Sequence, residues 1–358
     1  WQPIGTGPFY FKSNNPNKEI ILTKNPNYRK EYLTLPNQCS RETCAPFLSI
    51  QGKRLPLIKH FHFQLEKEYV PTWHKFMQGY YDFSGIHPDN FSQIIQINAL
   101  GEMNLSPLVK ERKIQLYKGT NLDIFYTGFN MLDPVVGGLD AKHRKLRQAI
   151  AIAMDDTEYI SIFMNGRGIV AEGPIPPDLW PTKQALHNKT LYTTIKGKVS
   201  KKTLIEARKL LAESGYKNGI DPKTGKPLIL HLDLAAQNGP DAKARFAWLR
   251  KQFRKLNIQL DIRATQYSRF QDKVRQGKTQ LFTFGWLADY PDAENFLFLL
   301  FGPNSTIISQ GVNASNYQNP KFDRAYRQLQ KTSDPKIRNQ LVIQMTHMLQ
   351  RDQPWLWG

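Results

Sequence analysis

The segment GWLADYPDAENFL, residues 285–297, carries an acid, Asp289, within an apolar and aromatic stretch. A carboxylate placed among Trp286, Leu287 and Tyr290 would lose hydration, and a buried charge usually persists only beside a partner. We therefore expect Asp289 to hold a cationic group. The alternative is that Asp289 caps the turn at Asp-Tyr-Pro and binds nothing.

The chain has two cysteines, Cys39 and Cys44, in the segment NQCSRETCAP. A zinc site would need two more ligands nearby, and the neighbouring sequence offers none. We expect a disulfide that closes a short surface loop, which requires an oxidising compartment. Two free thiols are the alternative.

Two histidines, His60 and His62, alternate with apolar residues in IKHFHFQLE. This period places both imidazoles on the same face of a strand, where they could share a metal ion. No carboxylate or third imidazole accompanies them in the sequence, so we expect solvent-facing side chains and no metal site.

The sequence lacks the motifs G-x-S-x-G, G-x-x-x-x-G-K-[ST], H-E-x-x-H and G-x-G-x-x-G. These motifs supply nucleophiles, phosphate loops, zinc ligands and dinucleotide sites, respectively. Adjacent acids such as Asp155 and Asp156 point apart and do not form a catalytic pair. We predict that the protein is not an enzyme and carries no cofactor.

The net charge of +19 comes from 49 basic and 30 acidic residues. A positive charge of this size makes nucleic acid and other polyanions candidate partners. The basic residues are spread over the whole chain, and the densest runs, at 142–147 and 198–202, lack interleaved aromatic residues. We therefore expect a solvated basic surface and no nucleic-acid partner. The first residues do not read as a signal peptide.

The length of 358 residues suggests two domains or one large α/β unit. Alternating residues predict two strands near the start, and 3.6-residue periods predict helices from 142 to 163. Prolines between 174 and 202 indicate a long surface excursion. Helices and strands then alternate, so we predict an α/β domain over about 120–345.

Six segments, taken in order, resemble the extracytoplasmic solute-binding proteins of ABC importers called family 5, which include oligopeptide- and dipeptide-binding proteins. The matching segments are GTGPFYF with KNPNY, HRKLRQAIAIAMD, NGRG with GPIPP, EARKLLAESGY with TGKPL, GWLADYPDAENFL and NPKFDRAYRQLQ. The resemblance implies an α/β fold of the type II periplasmic binding protein class, with two lobes and a hinge.

The resemblance also implies that the sequence lacks an N-terminal portion and the extreme C-terminus, so that the fold would be incomplete. Residues 1–118 would be the middle portion of lobe I, mainly β with helices. Residues 119–345 would be lobe II, and residues 346–358 would begin a return segment to lobe I.

The function that the resemblance implies is peptide capture in a cleft between the lobes, followed by delivery to the membrane permease subunits of an importer. The protein would be periplasmic or otherwise extracytoplasmic, and a monomer. A decayed fragment, or a basic surface protein that binds polyanions, is the alternative.

The resemblance assigns the ligand contacts residue by residue. Asp289 matches the acid that pairs with the α-amino group of the peptide. Gly285 and Leu287 match residues whose backbone pairs with the peptide, and Trp286 matches an aromatic residue of a side-chain pocket. The remaining candidate ligand-binding residues are Asn130 and Tyr317.

Overall fold

The computed structural model describes residues 5–37, 44–66, 68–98, 101–179, 187–195, 197–236 and 240–357. The chain folds as two compact units, Trp1–Lys113 and Ile114–Gly358. The first unit thus ends at Lys113, slightly before the boundary expected at 118. The last strand of the chain, Trp355–Trp357, pairs within the sheet of the second unit. The assignment of 346–358 to a return segment stays a prediction.

The first unit contains a three-stranded antiparallel sheet, which confirms the two strands predicted near the start of the chain. Its strands, in spatial order, are β1 (Phe9–Asn15), β2 (Glu19–Lys24) and β3 (His60–Gln64). The unit also contains the hairpin β4 (Ile95–Ile97) and β5 (Met103–Leu105) and the helices α1 (Tyr69–Met77), α2 (Phe91–Ile94) and α3 (Pro107–Lys110).

The histidines of β3 are engaged with β2. His62 Nε2 lies 2.8 Å from Glu19 Oε2, and His60 Nδ1 lies 3.2 Å from Thr23 Oγ1. Among the described residues, no three His, Cys, Asp or Glu side chains are placed to hold a metal ion. The imidazoles therefore have partners within the sheet.

The cysteine prediction falls partly outside the described residues. Cys44 is disulfide-bonded. Cys39, the other cysteine of the sequence, lies in the segment 38–43 that the structure does not describe.

The second unit is a mixed five-stranded sheet with helices. Its strands are β6 (Asp123–Phe129), β9 (Ile229–Ala235), β10 (Gln259–Thr265), β11 (Leu281–Leu287) and β12 (Trp355–Trp357). Their spatial order is β10-β9-β11-β6-β12. The pairs β10–β9 and β9–β11 are parallel, whereas β6 runs antiparallel to both β11 and β12. A short hairpin, β7 (Tyr192–Ile195) and β8 (Lys198–Lys201), lies outside this sheet.

The helices of the second unit supply much of its core. They are α4 (Ala141–Ala153), α5 (Asp156–Phe163), α6 (Leu204–Glu213), α7 (Pro240–Arg254), α8 (Tyr267–Arg275), α9 (Glu294–Leu297), α10 (Thr306–Ser309), α11 (Pro320–Lys331) and α12 (Pro335–Asp352). No helix among the described residues is long and apolar enough to cross a bilayer.

Local sequence signals explain where several of these helices begin and end. Asp155 caps α5 by accepting a hydrogen bond from the backbone N–H of Glu158. Thr203 and Glu206 form a capping box at the start of α6. Just beyond the end of α6, Gly215 takes a φ of +94°, in the region that favours glycine.

The surface excursion predicted for 174–202 is only partly correct. Ile175 and Leu191 are buried in the hydrophobic core, and the β7–β8 hairpin falls within the same segment. Asn188 is also buried, and its side chain accepts hydrogen bonds from the backbone of Thr190 and Leu191. The prolines therefore do not identify a purely surface segment, because described residues between them and β7 pack on the core.

A buried arginine fastens the end of the chain to the second unit. Arg147, on α4, is fully buried and donates to the backbone oxygens of Val136, Asp352 and Gln353 at 2.6–3.1 Å. Burial lowers its pKa to about 10, so the guanidinium stays charged at neutral pH. The Asp352 carboxylate in turn accepts a hydrogen bond of 2.8 Å from the Tyr317 hydroxyl. This network holds the chain just before β12 enters the sheet.

Candidate functional site

The parallel ladder between β9 and β11 ends early. The two strands pair only at Leu281 with Leu232 and at Phe282 with Asp233. On its other side, β11 pairs with β6 along its whole length. The strands β9 and β11 therefore separate after Phe282 and leave a gap in the sheet beside the second half of β11.

The direction of the backbone groups shows which residues of β11 face this gap. The N–H of Ala288 donates to the carbonyl of Leu122 at 2.8 Å, on the β6 side. Because backbone groups alternate along a strand, those of Gly285 and Leu287 point to the opposite side, toward the gap. The described part of the chain offers these groups no hydrogen-bond partner there.

Asp289 follows the carboxyl end of β11, and its side chain is exposed. The expectation that hydrophobic neighbours bury this carboxylate is therefore wrong. The reason is positional, since β11 ends at Leu287 and the residues after it emerge at the edge of the sheet. A loss of hydration at Asp289 would have to come from a bound molecule.

The Asp289 side chain is nevertheless oriented by a buried asparagine. Asn295, only 2% exposed, donates from Nδ2 to Asp289 Oδ2 at 3.2 Å. Its Oδ1 accepts from the Asp289 backbone N–H at 2.9 Å and from Trp286 Nε1 at 3.1 Å. The Asn295 amide thus positions both the Asp289 carboxylate and the Trp286 indole. The other carboxylate oxygen of Asp289, Oδ1, has no hydrogen-bond partner among the described residues.

The turn after Asp289 is stabilised by a different acid. Asp292 Oδ1 accepts from the backbone N–H of Glu294 at 2.8 Å, and Arg338 of α12 donates to both Asp292 oxygens at 2.6 and 2.8 Å. The alternative in which Asp289 caps this turn is therefore not supported, because Asp292 performs that role.

The predicted residues of β11 lie together. Gly285 is exposed, Leu287 is 66% exposed, and Trp286 is half-buried with its ring 5.2 Å from that of Phe298. Gly285, Leu287 and Asp289 thus form one open surface, while Trp286 alternates to the core side and supports it from behind.

Asn130 and Tyr317 are not part of this surface. The backbone N–H of Asn130 donates to the carbonyl of Gln280 at the amino end of β11, about 23 Å along the strand from Leu287. Asn130 is 3% exposed, and its Nδ2 donates to the carbonyls of Gly277 and Thr279 at 3.0 and 2.9 Å. The Asn130 side chain therefore forms hydrogen bonds inside the unit, away from the surface beside β11, and its role as a ligand contact stays a prediction.

Tyr317 is also an interior residue. Its side chain is 0% exposed, and its hydroxyl group is occupied by Asp352 and Asn319. Its ring packs edge-on against Phe322 at 5.6 Å. Contact with a ligand would require the core to open, so we do not retain Tyr317 among the site residues.

The sequence alone does not single out Asn295. The available signal is an amide within ENFL, beside residues with the apolar character of a core. A buried amide must find hydrogen-bond partners, and Asn295 finds them at Trp286 and Asp289, six to nine residues earlier in the chain.

Comparison with known families agrees with this fold. The family described as "Bacterial extracellular solute-binding proteins, family 5 Middle" matches residues 1–306. Heme-binding protein A of Haemophilus influenzae is 22% identical over 253 residues, which are 71% of this chain and 42% of that protein. The dipeptide-binding protein of Escherichia coli K12 is 21% identical over 253 residues, which are 71% of this chain and 43% of that protein. The chain thus spans less than half the length of these relatives.

Solved structures with the same fold cover nearly all of the chain. The periplasmic binding protein DppA from Helicobacter pylori, in complex with the peptide STSA, aligns with a TM-score of 0.71 and 19% identity. The alignment covers 99% of this chain and 57% of that chain. The oligopeptide-binding protein AppA from Bacillus subtilis, in complex with a nonapeptide, aligns with a TM-score of 0.66 and 20% identity, covering 99% and 60% of the two chains. These similarities establish the fold.

Proposed function

Because this chain belongs to the bacterial extracellular solute-binding proteins of family 5, we propose that it captures peptides and delivers them to an ABC importer. The observation that carries the proposal is the unpaired backbone of Gly285 and Leu287 in the gap beside β11, next to the oriented carboxylate of Asp289. An extended peptide presents the N–H and C=O groups that this edge lacks.

In the proposed complex, backbone groups and the Asp289 side chain contact different parts of the peptide. Hydrogen bonds to Gly285 and Leu287 would hold the peptide without reading its sequence. The unpaired Oδ1 of Asp289 would accept a charge-assisted hydrogen bond from the α-ammonium group and fix the register of the peptide.

The wider biological role follows from the same proposal. We place the protein outside the cytoplasm as a monomer, with the membrane permease subunits of the importer as its partner. It would release its peptide chemically unchanged, because the sequence offers no motif for a nucleophile, phosphate loop or metal centre.

Strand addition can be tested with tetra-alanine peptides in which one backbone amide at a time is methylated. Methylation of an amide that faces Gly285 or Leu287 leaves an acceptor unpaired, and we expect affinity to fall by about tenfold or more. Amides on the other side of the peptide should tolerate methylation. Calorimetry on the full-length protein would measure the series.

The alternation of sensitive and tolerant positions is the specific result, because adjacent amides of a strand point in opposite directions. A uniform loss at all positions, or no loss at any, would contradict strand addition. Failure of unmodified tetra-alanine to bind or to raise the melting temperature would count against peptide capture by this protein.

We further predict that Asn295→Ala weakens peptide binding by about tenfold. The substitution removes the amide that orients Asp289 and Trp286, but leaves the Asp289 carboxylate in place. Its positioning role can be separated from general destabilisation by comparing free and N-acetylated peptides by calorimetry. The discrimination between these peptides should shrink in the variant, whereas equal losses for both would indicate a purely structural role.

A further inference from the structure

A second recognition surface lies on the open face of β6 and β11, beside the gap. The antiparallel register pairs Asp123 with Leu287 and Phe125 with Gly285. The next residues on each strand point to the other face, where Ile124 is buried in the core. Farther along the same face, Phe129 and Leu281 are buried in the core, so the open part of the face is confined to the end near Asp123 and Leu287.

This face exposes hydrophobic side chains where solvated polar residues are expected. Phe125 is 61% exposed and Leu287 is 66% exposed. Their diagonal positions on neighbouring strands bring them within reach of each other. Together they form an apolar strip that no described residue of the unit covers fully.

The Phe125 ring leans from β6 across β11. A Cβ atom added at Gly285 would lie 2.6 Å from Phe125 Cδ1 and 2.7 Å from Cε1, so the ring rests over the glycine backbone. Glycine is the residue that leaves this space free. The ring consequently lies above the strand edge that faces the gap, where the side chain of a bound peptide would pass.

Asp123 adds charge to the same face, opposite Leu287. Its side chain is half-buried, and desolvation raises its pKa although Asn121 donates a hydrogen bond to it. Among the described residues no basic side chain forms an ion pair with Asp123, in a chain whose basic residues outnumber its acids by 49 to 30. A partly desolvated carboxylate of this kind is stabilised by a cation.

The three neighbouring side chains on this face, an aromatic ring, an aliphatic chain and a carboxylate, match the chemistry of one kind of ligand side chain. A lysine or arginine side chain lays its aliphatic stem on apolar surface and carries its charge at the tip. A purely apolar side chain would leave Asp123 without a counterion, and an acidic side chain would be repelled by it. We propose, on the premise of the peptide-binding function proposed above, that Asp123, Phe125 and Leu287 select peptides carrying a long cationic side chain.

The test is calorimetry on the full-length protein with trialanine and with peptides that replace one alanine by lysine or by norleucine. Norleucine keeps the stem and removes the charge. At one of the three positions we expect lysine to bind about tenfold more tightly than norleucine. Asp123→Asn should abolish this preference, and Phe125→Ala should weaken both peptides. The matched control is Asp272→Asn, which makes the same charge change at an exposed residue of α8 and should leave the preference intact.

The outcomes separate this inference from the function on which it rests. If trialanine binds but lysine has no advantage over norleucine at any position, the selectivity is overturned and peptide capture stands. A lysine preference that survives Asp123→Asn would likewise overturn it, because another group would then hold the charge. If no peptide binds, the proposed function and this inference fall together.

Discussion

Replacing Asp289 by alanine is expected to weaken the binding of a peptide with a free amino terminus by about 1.5 to 3.5 orders of magnitude. In the proposed complex the α-ammonium group leaves water and meets Asp289, and loss of one partner of such a desolvated pair costs about 2 to 5 kcal/mol. Calorimetry on the full-length protein would measure the loss. Asp289→Asn keeps the shape and one acceptor oxygen but not the charge, so its affinity should fall between those of wild type and Asp289→Ala.

An N-acetylated peptide supplies the control for this prediction. It has no ammonium group, so it should bind the wild-type protein poorly and lose little more when Asp289 is replaced. Equal losses for free and acetylated peptides would mean that Asp289 acts through the structure of the segment after β11. The assignment of the ammonium contact would then be wrong.

The second large effect is expected at the buried guanidinium of α4. Arg147→Met keeps much of the side-chain volume but leaves the carbonyls of Val136, Asp352 and Gln353 without a donor. Removing one member of a buried, hydrogen-bonded ionic network typically costs about 3 to 5 kcal/mol. We expect the free energy of unfolding to fall by that amount, with a corresponding loss of melting temperature.

A neighbouring arginine provides the matched comparison. Arg144 lies on the same helix, and its Nη1 is 3.5 Å from Asp352 Oδ1, but its side chain is 29% exposed. Arg144→Met should therefore cost no more than about 1 kcal/mol. Urea denaturation followed by tryptophan fluorescence would compare the two variants. Similar losses in the free energy of unfolding would show that the hydrogen bonds from Arg147 to the backbone carbonyls add no stability of their own.

The periodic elements of the second unit could be predicted from sequence because local pattern and burial agree there. In α4, Leu146, Ala149, Ile150 and Ala153 follow the helical period, and all four are buried. Arg147 follows no such rule. It occurs next to the apolar positions, but nothing in its neighbourhood shows that two of its three carbonyl partners would come from Asp352 and Gln353, 205 and 206 residues away.

The candidate site was predictable only in part, for the same physical reason. The segment that spans the end of β11 could be located from its composition, and its residues lie together because they are close in the chain. The exposure of Asp289 depends on where β11 ends, and the gap beside it depends on the divergence of β9. Both are properties of strand pairing, which a single sequence does not display. Asn130 and Tyr317 lie away from this surface because of interior packing, which their neighbours in the sequence do not show either.

The gap beside β11 also bears on how the protein avoids aggregation. An unpaired strand edge is a template on which another chain can extend a sheet. Here the unpaired stretch is short, spanning about 13 Å from residue 283 to 287, and the paired residues Phe282 and Asp233 close it at one end. A neighbouring protein could not lay a long strand into so short an opening, whereas a small flexible molecule could. The sheet thus keeps unpaired backbone groups that can bind a small ligand, while the short opening disfavours edge-to-edge pairing with other copies of the protein.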